Sequence, residues 1–271
     1  MFKKAWHSPT IMTWMSYSTK ALSLFGLLPL ILKQLPPGDV VLWYLFSTII
    51  SLQGLADFGF RQTFSRNISY AFAGASDIGT FSYSTLEAQG RNEGPNLSLL
   101  NQITSMMQYL YMRLTAILFF AMGSLGTWTM MKPIQSASNQ KDSWISWAIV
   151  LIVSCISFYG KIYMNFLEGL FKIALVRRVE TITSIGTIAT SIVILLAAPT
   201  LLNLIIANQV WVLVVTLRDW YLCKTVDNNI FKLVSNALPF DRTLFRKIWQ
   251  PAWRSGVSGL MSVGLTNLTG L

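Results

Sequence analysis

The sequence is poor in charge, and poorest in acid. Charged residues make up 12% of its 271 positions, and only 11 are Asp or Glu, while 53% are hydrophobic. A soluble domain carries about 25% charged residues. Half that charge cannot coat a water-exposed surface with polar groups, and the excess apolar surface calls for lipid. The one histidine, His7, lies in the N-terminal segment. No HExxH, GxSxG or Gly-rich loop with a lysine occurs, and the acids are scattered rather than paired. The sequence therefore predicts no enzyme, no cofactor and no metal site. Its two cysteines, Cys155 and Cys223, sit in or beside apolar runs without CxxC or Cys/His spacing, and read as unpaired thiols.

Base is more plentiful, with 21 Lys and Arg and a net charge of +10. These residues fall in clusters between apolar runs instead of along one solvated face. That is the membrane pattern, and it excludes nucleic acid as a partner.

A membrane-spanning helix needs about 20 mostly apolar residues. Six such runs are predicted: Ile11 to Gln34, Val40 to Phe64, Tyr109 to Met130, Trp144 to Leu167, Thr181 to Pro199, and Leu201 to Leu217. The first follows Lys3 and Lys4 without a convincing cleavage site, so it is an uncleaved span rather than a signal peptide. The short AAPTLLN hinge makes the last two an antiparallel hairpin. A seventh run starts at Pro251 and reaches Leu271 still apolar, which reads as a fragment. Three connections are long and polar: Ser65 to Gln108, Lys161 to Glu180, and Arg218 to Gln250. Within the first, Leu100, Ile103, Met107 and Leu110 recur at helical spacing, predicting an interfacial helix that runs into the third span. All basic residues except Lys33, Lys132 and Lys141 fall on one side of this arrangement. The positive-inside rule then puts the N-terminus in the cytoplasm.

A Lys or Arg at the bilayer centre costs roughly 2.5–3.5 kcal/mol on insertion scales, so charges within the runs are the informative residues. In ADFGFRQTFSR, Asp57 and Arg61 are four apart and share one face of a continuous helix. They are either a structural ion pair beside an interfacial Arg66 or part of a transport path. Lys20 lies two turns into the first span and can snorkel to the interface. Arg113 with Tyr109 and Tyr111 has the pattern of an interfacial belt. Lys161, Glu168 and Lys172 end the fourth span, with Glu168 and Lys172 spaced to pair. Arg177 and Arg178 read as membrane-surface contacts. Gly26 with Pro29, and Gly54 with Gly59, permit bends or close helix contact.

The stretch WYLFSTIISLQGLADFGFRQTFSRNISYAFAGA, Trp43 to Ala75, resembles the second span of the O-antigen and polysaccharide flippases of the Wzx type. These belong to the multidrug/oligosaccharidyl-lipid/polysaccharide exporter superfamily. YGKIYMNFLEGLFKIALVRRVETITSIG, Tyr159 to Gly186, is similar to the family's fourth and fifth spans with their basic linker, and LFRKIWQPAWRSGVSGLMSVGLTNLTG to its approach to span seven. The resemblance implies an all-α, polytopic transmembrane bundle of about twelve helices in two lobes. On that pattern residues 1–225 are the N-terminal six-helix lobe, 226–250 a cytoplasmic linker, and 251–271 the start of the seventh span. It implies alternating-access transport of an undecaprenyl-pyrophosphate-linked oligosaccharide across a bacterial inner membrane. The partners implied are that lipid-linked glycan, membrane lipid, and polysaccharide polymerase and assembly proteins. Arg61, Arg66 and Lys20 become the expected cavity cations for the pyrophosphate, and Asp57, Glu168 and Lys161 the expected ion-pair or coupling residues. The alternatives are a multidrug or small-molecule antiporter of the same superfamily, and a non-transporting membrane partner.

Overall fold

The computed structural model describes residues 9–57, 59–78 and 94–269. It is all-α, with no strand among the described residues. Helix starts follow from the sequence. Pro9 opens α1 (Pro9–Gln34) and Pro37 opens α2 (Pro37–Ala56), at the position where a missing amide loses no hydrogen bond. The amide of Leu99 donates to Asn96 Oδ1 at 3.0 Å and that of Asn203 to Thr200 Oγ1 at 3.3 Å. The amides of Thr243 and Leu244 both donate to Asp241 Oδ1. These side chains cap helices whose first amides have no partner of their own.

Past α3 (Phe60–Phe72), helix α4 (Leu97–Ala121) continues through a π turn (Met122–Gly126) into α5 (Thr127–Gln135), a run of 39 residues. Then come α6 (Gln140–Gly169), α7 (Ile173–Ala197), α8 (Leu201–Thr225), the short α9 (Ile230–Val234) and α10 (Arg242–Thr269). Among the described residues, four runs are long and apolar enough to cross a membrane: Leu97–Gln135, Gln140–Gly169, Ile173–Ala197 and Leu201–Thr225. Ile117, Phe120, Leu125 and Trp128 of the first are 64% to 71% exposed. Water disfavours an apolar surface of that extent; lipid accommodates it.

The chain forms two compact units that interleave in sequence. One comprises Met1–Leu52, Thr115–Tyr159 and Ile173–Arg218. Its core gathers Leu42, Phe46, Met130, Ile134, Trp147 and Ile205, with Phe46 stacked on Trp147 at 5.8 Å. In lipid, packing and interhelical hydrogen bonds replace the hydrophobic effect as the force between helices. Trp147 Nε1 donates to Thr127 Oγ1 at 3.0 Å and Trp211 Nε1 to Thr190 Oγ1 at 2.9 Å. Helices α7 and α8 run antiparallel. As the α7 partner steps back from Leu195 to Ser191 to Thr190, the α8 partner advances from Leu204 to Asn208 to Trp211.

The other unit comprises Gln53–Leu114, Gly160–Lys172 and Asp219–Leu271. Here the predicted second span is not one helix. α2 ends at Ala56 and α3 begins at Phe60. Gly59 sits at φ 71°, ψ 5°, a left-handed conformation that suits glycine. A Cβ there would also lie 2.7 Å from Ala252 O, Gly256 N and Ser255 Cβ of α10. α3 packs on α10 at this point, with Phe60 5.8 Å from Trp249.

The other polar connections are also more helical than expected. Lys161 to Glu180 is helix on both sides of a turn at 170–172, where Phe171 takes φ 60°. Ser65 to Phe72 is the second half of α3, and the expected interfacial helix is the first part of the 39-residue run. Within residues 226–250, Phe231 packs edge-on to Phe166 at 5.0 Å.

Candidate functional site

A set of polar side chains is enclosed within the second unit. Asp57, in the turn between α2 and α3, is 7% exposed. Tyr111 of α4 and Asn165 of α6 are both fully buried. The Tyr111 hydroxyl donates to Asp57 Oδ1 and accepts from Asn165 Nδ2 at 2.7 Å. One phenol thus satisfies its donor and an acceptor site between two helices and a turn. Asn165 Oδ1 has no hydrogen-bond partner among the described residues. Buried amide oxygens are ordinarily paired.

Charge surrounds this chain of hydrogen bonds. Lys161, Asn165 and Glu168 follow the i, i+4, i+7 spacing that puts them on one face of α6. Lys161 is half-buried and interacts electrostatically with Asp57. Arg61 of α3 grips Glu168 with two nitrogens, Nη2 to Oε1 at 2.6 Å and Nε to Oε2 at 3.2 Å. This is the fork geometry that makes Arg–carboxylate pairs strong and directional. α3 is held against α6 by Ser69 Oγ, which donates to the Gly169 carbonyl at 2.9 Å. A Cβ on Gly169 would meet Ile68 at 2.5 Å, so the close approach requires glycine.

Arg66 goes elsewhere. It lines an open pocket of about 570 Å³ with Asp77, Lys247, Gln250, Arg254 and Ser255. Lys247 Nζ reaches both Asp77 oxygens, at 2.6 and 2.8 Å. That hydrogen bond holds the Asp77 carboxyl below the usual carboxylate range.

The structure thus assembles Asp57, Arg61, Lys161 and Glu168, but with partners the sequence did not assign. The helix expected to carry Asp57 and Arg61 on one face is broken between them. The two-nitrogen partner of Arg61 is Glu168, 107 residues away. Glu168 therefore serves Arg61, while Lys172, its expected partner, pairs with Asp227 at 2.9 Å. The expected Tyr109–Tyr111–Arg113 belt divides. Arg113 lies 4.8 Å over the partly exposed Tyr109 ring, and Tyr111 turns inward. Arg177, read as a membrane-surface contact, pairs with Glu180 at 2.8 Å with its side chain 16% exposed. Lys20 lies on α1, in the first unit, and its side chain is outside the described residues.

Tyr111, Asn165, Asp77, Lys247 and Arg254 were not singled out as site residues. The signal for Asn165 was present, since an amide four residues from Lys161 in an apolar helix falls on the same face. No group of three or more potential metal ligands occurs among the described residues. Compared with known protein families, characterised proteins and solved structures, the chain finds no match.

Proposed function

We propose that the chain is a membrane transporter lobe that moves a lipid-linked oligosaccharide, an undecaprenyl-pyrophosphate-linked glycan, across a bacterial inner membrane by alternating access. The observation that carries the reading is the enclosed Asp57–Tyr111–Asn165 chain with Lys161 and the Arg61–Glu168 pair beside it. Ionisable groups inside apolar helices are costly, and they persist where they serve a translocation path or its coupling. The break between α2 and α3 supports the same reading. Transporters place polar groups where membrane helices are interrupted.

Under this reading α1 and α2 also cross the bilayer. At 26 and 20 residues they extend about 39 and 30 Å at 1.5 Å per residue, long enough for a hydrocarbon core of about 30 Å. With the four longer runs they make six spans, and α10 starts a seventh. The basic clusters put the N-terminus in the cytoplasm.

The test is export of surface polysaccharide by the complete transporter carrying Asp57→Asn or Arg61→Ala. Reduced export at normal protein level is expected. Normal export by both variants at normal protein level overturns the reading. A small-molecule antiporter of the same superfamily is the second reading, favoured by the buried carboxylate of Asp57 in the break between α2 and α3. It predicts instead that Asp57→Asn abolishes drug efflux while polysaccharide export is never supported.

A further inference from the structure

The pocket beside Arg66 carries more positive charge than its own walls neutralise. Arg66 comes from α3, and Lys247 and Arg254 come from α10. Lys247 and Arg254 are seven residues apart, which places them on one helix face. Among the described wall residues one carboxylate, Asp77, stands against these three cations, and Lys247 engages both of its oxygens. Arg66 and Arg254 are exposed and have no carboxylate partner among the described residues. A space of about 570 Å³ is within the roughly 300–1,000 Å³ of ligand pockets. Cations held around it repel one another, and an entering anion relieves that repulsion. Two guanidinium groups select the anion further, because their planar donor forks match phosphate oxygens. Gln250 and Ser255, also in the wall, add neutral donors.

We propose that this pocket binds a phosphate-class anion, with Arg66 and Arg254 as its ligands and Asp77 as an internal competitor for Lys247. The site shares no residue with the Asp57 network, and it does not require the transport reading. The phosphate can belong to a soluble molecule or to a lipid headgroup, and the two sources separate experimentally.

The full-length chain is purified in detergent and titrated calorimetrically with inorganic pyrophosphate. Saturable binding is expected, weakened about tenfold or more in Arg66→Gln and in Arg254→Gln, each of which removes one bidentate donor. Arg242→Gln, outside the pocket, stays within about twofold. Asp77→Asn binds about threefold tighter or better, because it removes the one acid among the described wall residues and releases Lys247. This gain is readable even where an arginine variant fails to fold. In a second arm the chain is placed in nanodiscs of phosphatidylcholine with or without phosphatidylglycerol, and co-purifying lipid is counted by native mass spectrometry. Phosphatidylglycerol retained by wild type and lost in Arg66→Gln assigns the phosphate to a lipid headgroup. Pyrophosphate binding without lipid retention assigns it to a soluble or cargo phosphate. The proposal is overturned if neither probe binds, if both arginine variants bind as wild type does, or if Asp77→Asn binds more weakly.

Discussion

Arg61 and Glu168 lie 107 residues apart in the chain and meet through two nitrogen–oxygen contacts of 2.6 and 3.2 Å. The pair joins α3 to α6 beside the buried Asp57. The Glu168 side chain is 11% exposed and that of Arg61 34%, so the cost of breaking the pair lies between the surface and buried limits. Glu168→Gln is expected to destabilise the protein by about 1–3 kcal/mol, less than the 3–5 kcal/mol of a fully enclosed pair. Thermal unfolding in detergent measures it. Arg61→Lys should recover little, since a lysine cannot reproduce the fork. An unfolding midpoint unchanged in both variants would show that the pair contributes nothing.

Tyr111→Phe removes one oxygen and takes a hydrogen-bond partner from each of two groups, the Asp57 carboxylate and the Asn165 amide. Leaving a buried polar group unpaired costs roughly 1–3 kcal/mol, more when it is charged. The unfolding midpoint should fall by more in Tyr111→Phe than in Tyr109→Phe, whose ring is partly exposed. Equal effects would contradict the inward position of Tyr111.

Gly59→Ala imposes a Cβ on a left-handed residue whose nearest neighbours would lie 2.7 Å away on α10. The backbone term alone is roughly 1–2 kcal/mol, and the forced shift of α10 adds about 1–3 kcal/mol. Gly54→Ala is the matched control, because a Cβ there meets nothing within 4 Å. The first variant should lose expression or thermal stability. The second should equal wild type or slightly exceed it.

Acid should loosen the Asp77–Lys247 contact in a defined direction. Lys247 holds the Asp77 carboxyl below its ordinary 3.8. A depressed carboxylate stabilises the fold above the unfolded value, and that contribution is lost as pH falls through the folded one. Both side chains are about half exposed, so the effect is small and screened by salt. Carbon-detected titration of Asp77 should give a midpoint below 3.8 in wild type and one returned toward it in Lys247→Met. The same midpoint in both would dissociate the shift from the lysine.

The all-helical class was legible in the sequence because apolar content and helical spacing are local properties. The helical start near Leu100 was visible for the same reason, although the pattern did not reveal that it joins a 39-residue run. Asp57, Arg61, Lys161 and Glu168 stood out because a charge in an apolar helix is conspicuous wherever it points. Their partners were hidden. Tyr111 looks like Tyr109 to a composition argument, and only the rotation of α4 decides which one is buried. Gly54 and Gly59 were equally good candidates for a bend. The choice depends on how closely α10 approaches, and nothing near either glycine encodes that. Pairings such as Asp57 with Tyr111, Arg61 with Glu168 and Asp77 with Lys247 join segments far apart in sequence, which local periodicity cannot connect.

The π turn at Met122–Gly126 has a consequence for chain length. A turn closed five residues on instead of four takes up one extra residue, and a residue in a helix is worth about 100° of rotation. The wide turn absorbs that rotation and keeps everything downstream in phase. It is what aims Met130 and Ile134 into the cluster around Trp147 rather than outward with Trp128. Substituting Ser124, whose hydroxyl only donates back to the Phe120 carbonyl, leaves that registration intact. Deleting it would close the π turn to an ordinary α turn with α5 still in phase, whereas deleting a second residue would swing α5 by about 100° away from its neighbours. The segment is indifferent to spelling but sensitive to counting.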